Sequence, residues 1–155
     1  MKPKVYIDGK DGTTGLQIYD RLAARDDIDL LLIDEAKRKD PDERKRLMAE
    51  ADIVFLCLPD AAAVEAVALA EGSGARMIDA STAHRTAPGW VYGFPELRPG
   101  QREAIAGARY VANPGCHATG FISIVAPLVQ AGAAVPRTRT CAASPSPATP
   151  AAGRK

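Results

Sequence analysis

VYIDGKDGTTGLQI, residues 5–18, passes from an apolar run through three glycines into a segment with helical spacing. Val5 to Asp8 read as a short strand. Leu16, Ile18, Tyr19, Leu22 and Ala23 fall near one face of a helix over 16–25. Between them Gly9, Gly12 and Gly15 form a G-x-x-G-x-x-G loop. Backbone can approach a pyrophosphate closely where side chains are absent, and the following helix offers unpaired N–H groups to an anion. The spacing differs from G-x-G-x-x-G, but a loop directly after a strand and before a helix is the context a dinucleotide site requires. A flexible turn is the competing reading.

The rest of the chain extends this unit. IDLLLID (28–34) reads as a second strand whose apolar run suggests burial on both faces. A charged segment follows, with a short solvent-facing helix after Pro41 whose first turn holds Asp42 and Glu43. DIVFLCLP (52–59) is a third strand, AAAVEAVALAEG (61–72) a helix closed by Gly72, and ARMIDAS (75–81) a fourth strand. Strands alternating with helices predict an α/β, Rossmann-like fold: a parallel sheet with crossover helices. From 82 to 110 the pattern breaks into turns around Pro88, Gly89, Pro95, Pro99 and Gly100. ARYVANPG then reads as a strand and turn, and CHATGFISIVAPLVQAG (116–132) as a helix ending at Gly132. The domain is expected over 1–134. The segment 135–155 is low-complexity, without residues to build a core, and is expected to be disordered.

Composition narrows the function. Across 155 residues, 20 basic side chains against 19 acidic ones give a formal charge of +1. That balance calls for neither a nucleic-acid nor a membrane partner. No apolar run reaches membrane-spanning length, and the first residues lack a secretory signal, so a cytoplasmic location is expected. Cys57, Cys116 and Cys141 are too widely spaced for a metal or redox pair, and two histidines make a multi-histidine metal site improbable.

Cys116 follows Asn113-Pro114-Gly115 and opens a helix. Amides of a first helical turn favour a thiolate, so this cysteine is the candidate nucleophile, with simple packing as the alternative. Cys57, inside VFLCLP, reads as core. His117 is adjacent, but neighbouring side chains on a helix are not expected to face each other. Asp79, Ser81, His84 and Arg85 lie at and beyond the end of the fourth strand, where open α/β sheets bind ligands. Arg85 suits an anionic group, with Ser81 as a hydrogen-bonding neighbour. At the end of the second strand Asp34 and Glu35 suit a ribose 2′-hydroxyl, while Lys37, Arg38 and Lys39 suit a 2′-phosphate. The three cations favour NADP. Trp90, Tyr92 and Phe94 read as core or loop anchors.

VYIDGKDGTTGLQI, AKRKD (36–40), FLCLPD (55–60), IDASTAHR (78–85), YGFPEL (92–97) and NPGCHATGF (113–121) together resemble the N-terminal part of the short form of N-acetyl-gamma-glutamyl-phosphate reductases, relatives of aspartate-semialdehyde dehydrogenases. The resemblance covers roughly residues 5 to 132. It implies an NADPH-dependent reduction of an acyl phosphate to a semialdehyde in arginine biosynthesis, through a thioester on Cys116. It implies cofactor contacts from Gly9, Gly12, Thr13, Thr14, Gly15, Arg38, Lys39 and Ser81, and a substrate side formed by His84, Arg85 and Asn113. The partner is then a small acyl phosphate, and the whole enzyme is expected to be a homo-oligomer. The aromatic residue often expected after the cysteine is His117 here. A related semialdehyde dehydrogenase of another pathway, or a non-catalytic NADP-binding module, are the alternatives.

The resemblance also implies a second, α+β domain carrying a catalytic histidine, which this chain lacks, and a sequence like SVTGYSGGGK soon after the cysteine helix. ASPSPATPAAGR stands at 143–154 instead. Suitably chosen codons for those residues, read from the third base, encode ISVTGYSGGGK. The tail therefore reads as out of frame, and the chain as a truncated reductase of little or no activity.

Overall fold

The computed structural model describes residues 1–133. The readings of 135–155, including Cys141 and the shifted frame, lie outside the described residues. Six strands form one parallel sheet: β1 (Lys4–Asp8), β2 (Asp29–Leu31), β3 (Ile53–Leu56), β4 (Arg76–Asp79), β5 (Val91–Tyr92) and β6 (Tyr110–Ala112), in the order β2-β1-β3-β4-β6-β5. The crossovers carry α1 (Thr13–Ala23), α2 (Pro41–Glu50), α3 (Asp60–Leu69) and α4 (Gln101–Gly107), and α5 (Cys116–Gln130) follows β6. A parallel sheet brings the carboxyl ends of all its strands to one edge. The chain steps outward from β1 to β2, then returns to place β3 on the other side of β1. The crevice between β1 and β3 is the topological switch point.

The core lies between the central strands and two helices. Tyr6, Val54, Leu56 and Met77 from β1, β3 and β4 pack with Leu47 and Met48 of α2 and Ala66 of α3. Ala63 and Ala66 are buried, their small side chains letting α3 close on the sheet. On α2, Asp40 caps the helix by accepting from Asp42 N at 3.0 Å and Glu43 N at 3.4 Å, ahead of Pro41. Such a cap contributes about 1 kcal/mol. The first turn holds Asp42 and Glu43 as expected, but α2 is not merely solvent-facing: Arg44, Leu47 and Met48 are buried.

Three further expectations are corrected. The second strand is short and sits at the sheet edge, with Leu32 beyond it exposed, so its apolar run is not buried on both faces. An apolar run alone cannot distinguish an edge strand from a central one. The helix after the glycine loop begins at Thr13, and Gly15 lies inside it. The segment 82–110 contains β5 and α4 as well as turns; both are too short to produce a periodic pattern. On α5, Phe121, Ile124 and Leu128 form an exposed apolar stripe. Among the described residues no helix is long and apolar enough to cross a membrane.

Candidate functional site

The glycine loop separates into structural and open positions. Gly9 has φ +87°, and a Cβ there would lie 2.4 Å from the Cys57 carbonyl oxygen. A Cβ on Gly15 would lie 2.1 Å from the Gly9 carbonyl oxygen. Both glycines are required by the protein's own packing. At Gly12 a Cβ would meet only ordinary contacts, 3.5 Å from Gly9 O and 3.8 Å from Cys57 O. Gly12 caps α1 without a side-chain hydrogen bond, so the first-turn amides of Thr13, Thr14 and Gly15 have no cap. The space beside the loop is a cavity of about 570 Å³. It is lined by Gly9 to Gly12, Glu35, Arg38, Lys39 and Arg44, with Cys57 to Pro59 on the β3 side. An uncapped helix start, a glycine open to the solvent side and a cavity at the switch point fit a dinucleotide pyrophosphate.

The cavity floor is charged but internally balanced. Arg44 of α2 donates from Nε and Nη2 to the Asp8 carboxylate, the shortest contact being 2.8 Å, and both side chains are nearly buried. Burial is the largest influence and works against the Arg44 charge, but the Asp8 hydrogen bonds and charge, with Tyr6 and Glu65 adding, together outweigh it and raise its pKa. Burial pushes the Tyr6 hydroxyl well above its usual range, with Asp8 adding to the effect. Cys57 lies just past β3, partly buried and lining the cavity rather than packed wholly in the core. Burial, helped by Asp8 and Asp79, pushes its thiol up to about 11.

Of the acidic and basic residues after β2, Asp34 is already used: its carboxylate accepts from Ala36 N at 2.9 Å and caps the single 3-10 turn at Glu35–Lys37. Arg38 and Lys39 line the cavity together with Glu35, whereas Lys37 does not. Arg38 reaches back to Asp11 in the glycine loop at 3.2 Å.

The second part of the site lies farther along the same sheet edge, beyond β4 and β6. Asp79, fully buried at the end of β4, accepts from Ser81 N at 2.9 Å and from Ser81 Oγ at 2.6 Å. His84 Nδ1 lies 2.6 Å from the same carboxylate, and the imidazole stacks on Trp90 with centroids 4.1 Å apart. Ser81 and His84 are thus joined to Asp79 in the interior. Arg85 lies on the Asn113–Gly115 turn, its Nε donating to Asn113 O at 3.1 Å. A Cβ at Gly115 would come within 2.7 Å of an Arg85 guanidinium nitrogen. Gly115 caps α5 without a side-chain bond, and Cys116 opens that helix, exposed to solvent. Cys116 Sγ is 3.3 Å from His117 Nδ1. This corrects the expectation that the two side chains do not meet: no preceding helical turn lies beneath them, so they can fold together. Among the described residues no cluster suits a metal ion.

Sequence reasoning missed Arg44, which stood in a charged run with nothing to mark it as buried. It also missed the pairing of Arg38 with Asp11, which depends on tertiary placement.

Comparison with known proteins bears on the family and the fold. The chain is 61% identical over 131 residues to an N-acetyl-gamma-glutamyl-phosphate reductase of Trichormus variabilis, covering 84% of this chain and 41% of that protein. It is 59% identical over 133 residues to the Brucella ovis protein of the same name, covering 85% and 43%. The chain therefore spans about two fifths of the length of these curated relatives. Aspartate semialdehyde dehydrogenase II of Vibrio cholerae shares the fold, with a TM-score of 0.65 at 17% identity over 84% of this chain and 47% of that one. The Francisella tularensis aspartate semialdehyde dehydrogenase does so with a TM-score of 0.61 at 20% identity, covering 85% and 42%. A family model described as the NAD-binding domain of semialdehyde dehydrogenase matches residues 22–108, more than half of the chain. That description agrees with the parallel sheet and crossover helices seen here, and the chain belongs to the semialdehyde dehydrogenase NAD-binding domain family.

Proposed function

We propose that this chain supplies the NADP-binding domain and the nucleophile of an N-acetyl-gamma-glutamyl-phosphate reductase, an enzyme that reduces an acyl phosphate to N-acetyl-glutamate 5-semialdehyde and releases phosphate. One observation carries the reading. In a chain about 60% identical to such reductases, the glycine-loop cavity and the Cys116 turn lie on one sheet edge, separated by the strand ends of β3 and β4. Neighbouring strands are about 4.8 Å apart, so β1 and β6 are separated by about 14 Å, a span that an extended dinucleotide covers.

Gly12 and the uncapped amides of α1 hold the pyrophosphate, with Thr13 and Thr14 at the helix start. Gly9 and Gly15 keep the loop tight enough for this. Arg38 and Lys39 hold the 2′-phosphate, which favours NADP over NAD. Asp34 is occupied as a cap, so Glu35 is the one carboxylate of that pair left facing the cavity.

Cys116 attacks the acyl carbonyl carbon; the new carbon–sulfur bond forms as the carbon–oxygen bond to phosphate breaks. His117 Nδ1 is placed to receive the thiol proton. Arg85, lying on Gly115, together with Asn113, holds the anionic part of the substrate. When bound, the nicotinamide supplies the hydride that the thioester carbon accepts. The carbon–sulfur bond then breaks, the semialdehyde leaves and the thiolate is restored. The resemblance places the acid–base histidine of the later step in the second domain.

The test grafts residues 1–132 onto the remainder of the Trichormus variabilis relative and measures phosphate-dependent NADP reduction with N-acetyl-glutamate semialdehyde. The expected result is turnover that falls about a thousandfold or more in Cys116→Ser. Unchanged turnover in that variant refutes the proposed nucleophile, and equal use of NAD and NADP refutes the 2′-phosphate assignment.

A further inference from the structure

We propose that Asp79 is a positioning residue that holds Arg85 against the nucleophile turn, acting through Ser81 and His84. The inference rests on the reading of Cys116 and Arg85 above, but concerns how Asp79 holds the loop that carries Arg85.

Asp79 is the point at which two loops meet. Its backbone carbonyl accepts from Asn113 N at 2.7 Å, fixing the turn that leads to Cys116. Its carboxylate accepts from Ser81 N and Ser81 Oγ and contacts His84 Nδ1 at 2.6 Å, closing residues 79 to 84 into a compact turn. Ser81 Oγ in turn accepts from Ala83 N at 3.2 Å. Trp90 covers the outer face of the His84 ring and also packs against Tyr110, the first residue of β6. A fully buried carboxylate without donors would be costly, and these three contacts to two residues keep it satisfied.

Arg85 is the next residue along the chain. With His84 fixed, the Arg85 backbone starts from a defined point, and its guanidinium reaches Asn113 O and the bare backbone of Gly115. Gly115 immediately precedes the nucleophile, and consecutive Cα atoms are about 3.8 Å apart. The cationic group therefore sits within one residue of the thiol-bearing helix start. A floppy 80–85 loop would spread that charge over many positions. The Asp79 network keeps it at one, where an anionic acyl group would be met.

Charge placement can be measured without turnover. Cys116 in the 155-residue chain is alkylated at fixed pH with iodoacetate, which is anionic, and with iodoacetamide, which is neutral, and the rates are read by peptide mass spectrometry. A guanidinium beside the turn raises the iodoacetate rate relative to iodoacetamide. Arg85→Ala is expected to lower that ratio about threefold or more, as removal of one nearby, partly screened charge should. Asp79→Asn is expected to lower the ratio to a similar level, with little further loss when combined with Arg85→Ala. Gly115→Ala provides a second route, because the three atoms nearest its methyl all belong to the flexible end of Arg85, which it displaces without substituting any member of the Asp79 network. It should lower the ratio while the melting temperature changes little.

At a temperature where circular dichroism shows Asp79→Asn still folded, a role for Asp79 in stability alone would leave the ratio unchanged, since only unfolding would then take Arg85 from the turn. That result in Asp79→Asn, with Arg85→Ala lowering the ratio, overturns the proposal and leaves the functional reading standing. An unchanged ratio in Arg85→Ala overturns the assignment of Arg85 as the anion holder, and the positioning role with it.

Discussion

Replacing Gly15 and Gly12 separately by alanine should yield opposite phenotypes, although both belong to one loop. At Gly15 the new methyl lies 2.1 Å from Gly9 O, 2.8 Å from Lys10 Cα and 2.9 Å from Gly9 C, all backbone atoms. No side chain can swing away, so the loop must move by about 1 Å to restore normal contact. Overpacking of this kind costs about 1–3 kcal/mol, and rigid backbone neighbours place it at the upper end. Alanine regains about 1 kcal/mol because Gly15 is helical. The net loss is about 2 kcal/mol, or roughly 6–8 °C in melting temperature for a chain of this size. At Gly12 the methyl makes ordinary contacts, and the cost is that of a poorer N-cap, about 0.5–1 kcal/mol. Its effect falls on the ligand, because a methyl at the loop surface keeps pyrophosphate from the backbone, and NADPH affinity should drop about tenfold or more. Thermal denaturation by circular dichroism and NADPH fluorescence titration on the 155-residue chain measure both quantities. A Gly15→Ala protein melting at or above the parent would refute the packing argument. Undiminished NADPH binding by Gly12→Ala would refute the assignment of that glycine to the pyrophosphate.

Arg44→Ala leaves the nearly buried Asp8 carboxylate unpaired, and should destabilise the fold by about 3–5 kcal/mol in urea unfolding. The double variant Asp8→Asn, Arg44→Met should recover at least half of that loss, and no recovery would argue against a desolvated pair. Cys57, held up to about 11 by burial, should resist iodoacetamide at pH 8 and react progressively faster as the pH approaches 11. The unfolded chain releases this proton first, near the ordinary value of 9.0, so stability should fall as pH rises from there towards about 11. Alkylation of Cys57 at the rate of a free thiol at pH 8 would contradict the burial.

Local spacing was enough to reveal the βα unit at the start of the chain. A strand, a glycine loop and a helical stripe are short-range features, and each occupies neighbouring positions in sequence. The same holds for the helix started by Asp40-Pro41 and for Cys116 at the head of α5, whose cap chemistry is readable residue by residue. Strand order was not readable in this way. The apolar run of IDLLLID suggested burial on both faces, and only the strand order, with β1 between β2 and β3, made β2 an edge. Arg44 looked like one charge among many until α2 packed on the sheet and brought it to Asp8, thirty-six residues away. Asp79, Ser81, His84 and Arg85 were visible as a polar loop, but whether such a loop faces ligand or interior depends on what lies behind it. Trp90 and the Asn113–Gly115 turn lie behind it, and both reach it through the placement of β6 beside β4. Periodicity and capping act over a few residues and are written in the chain itself. Burial, ion pairing and the orientation of Arg85 arise from contacts between distant segments, which exist only once the sheet has set its strand order.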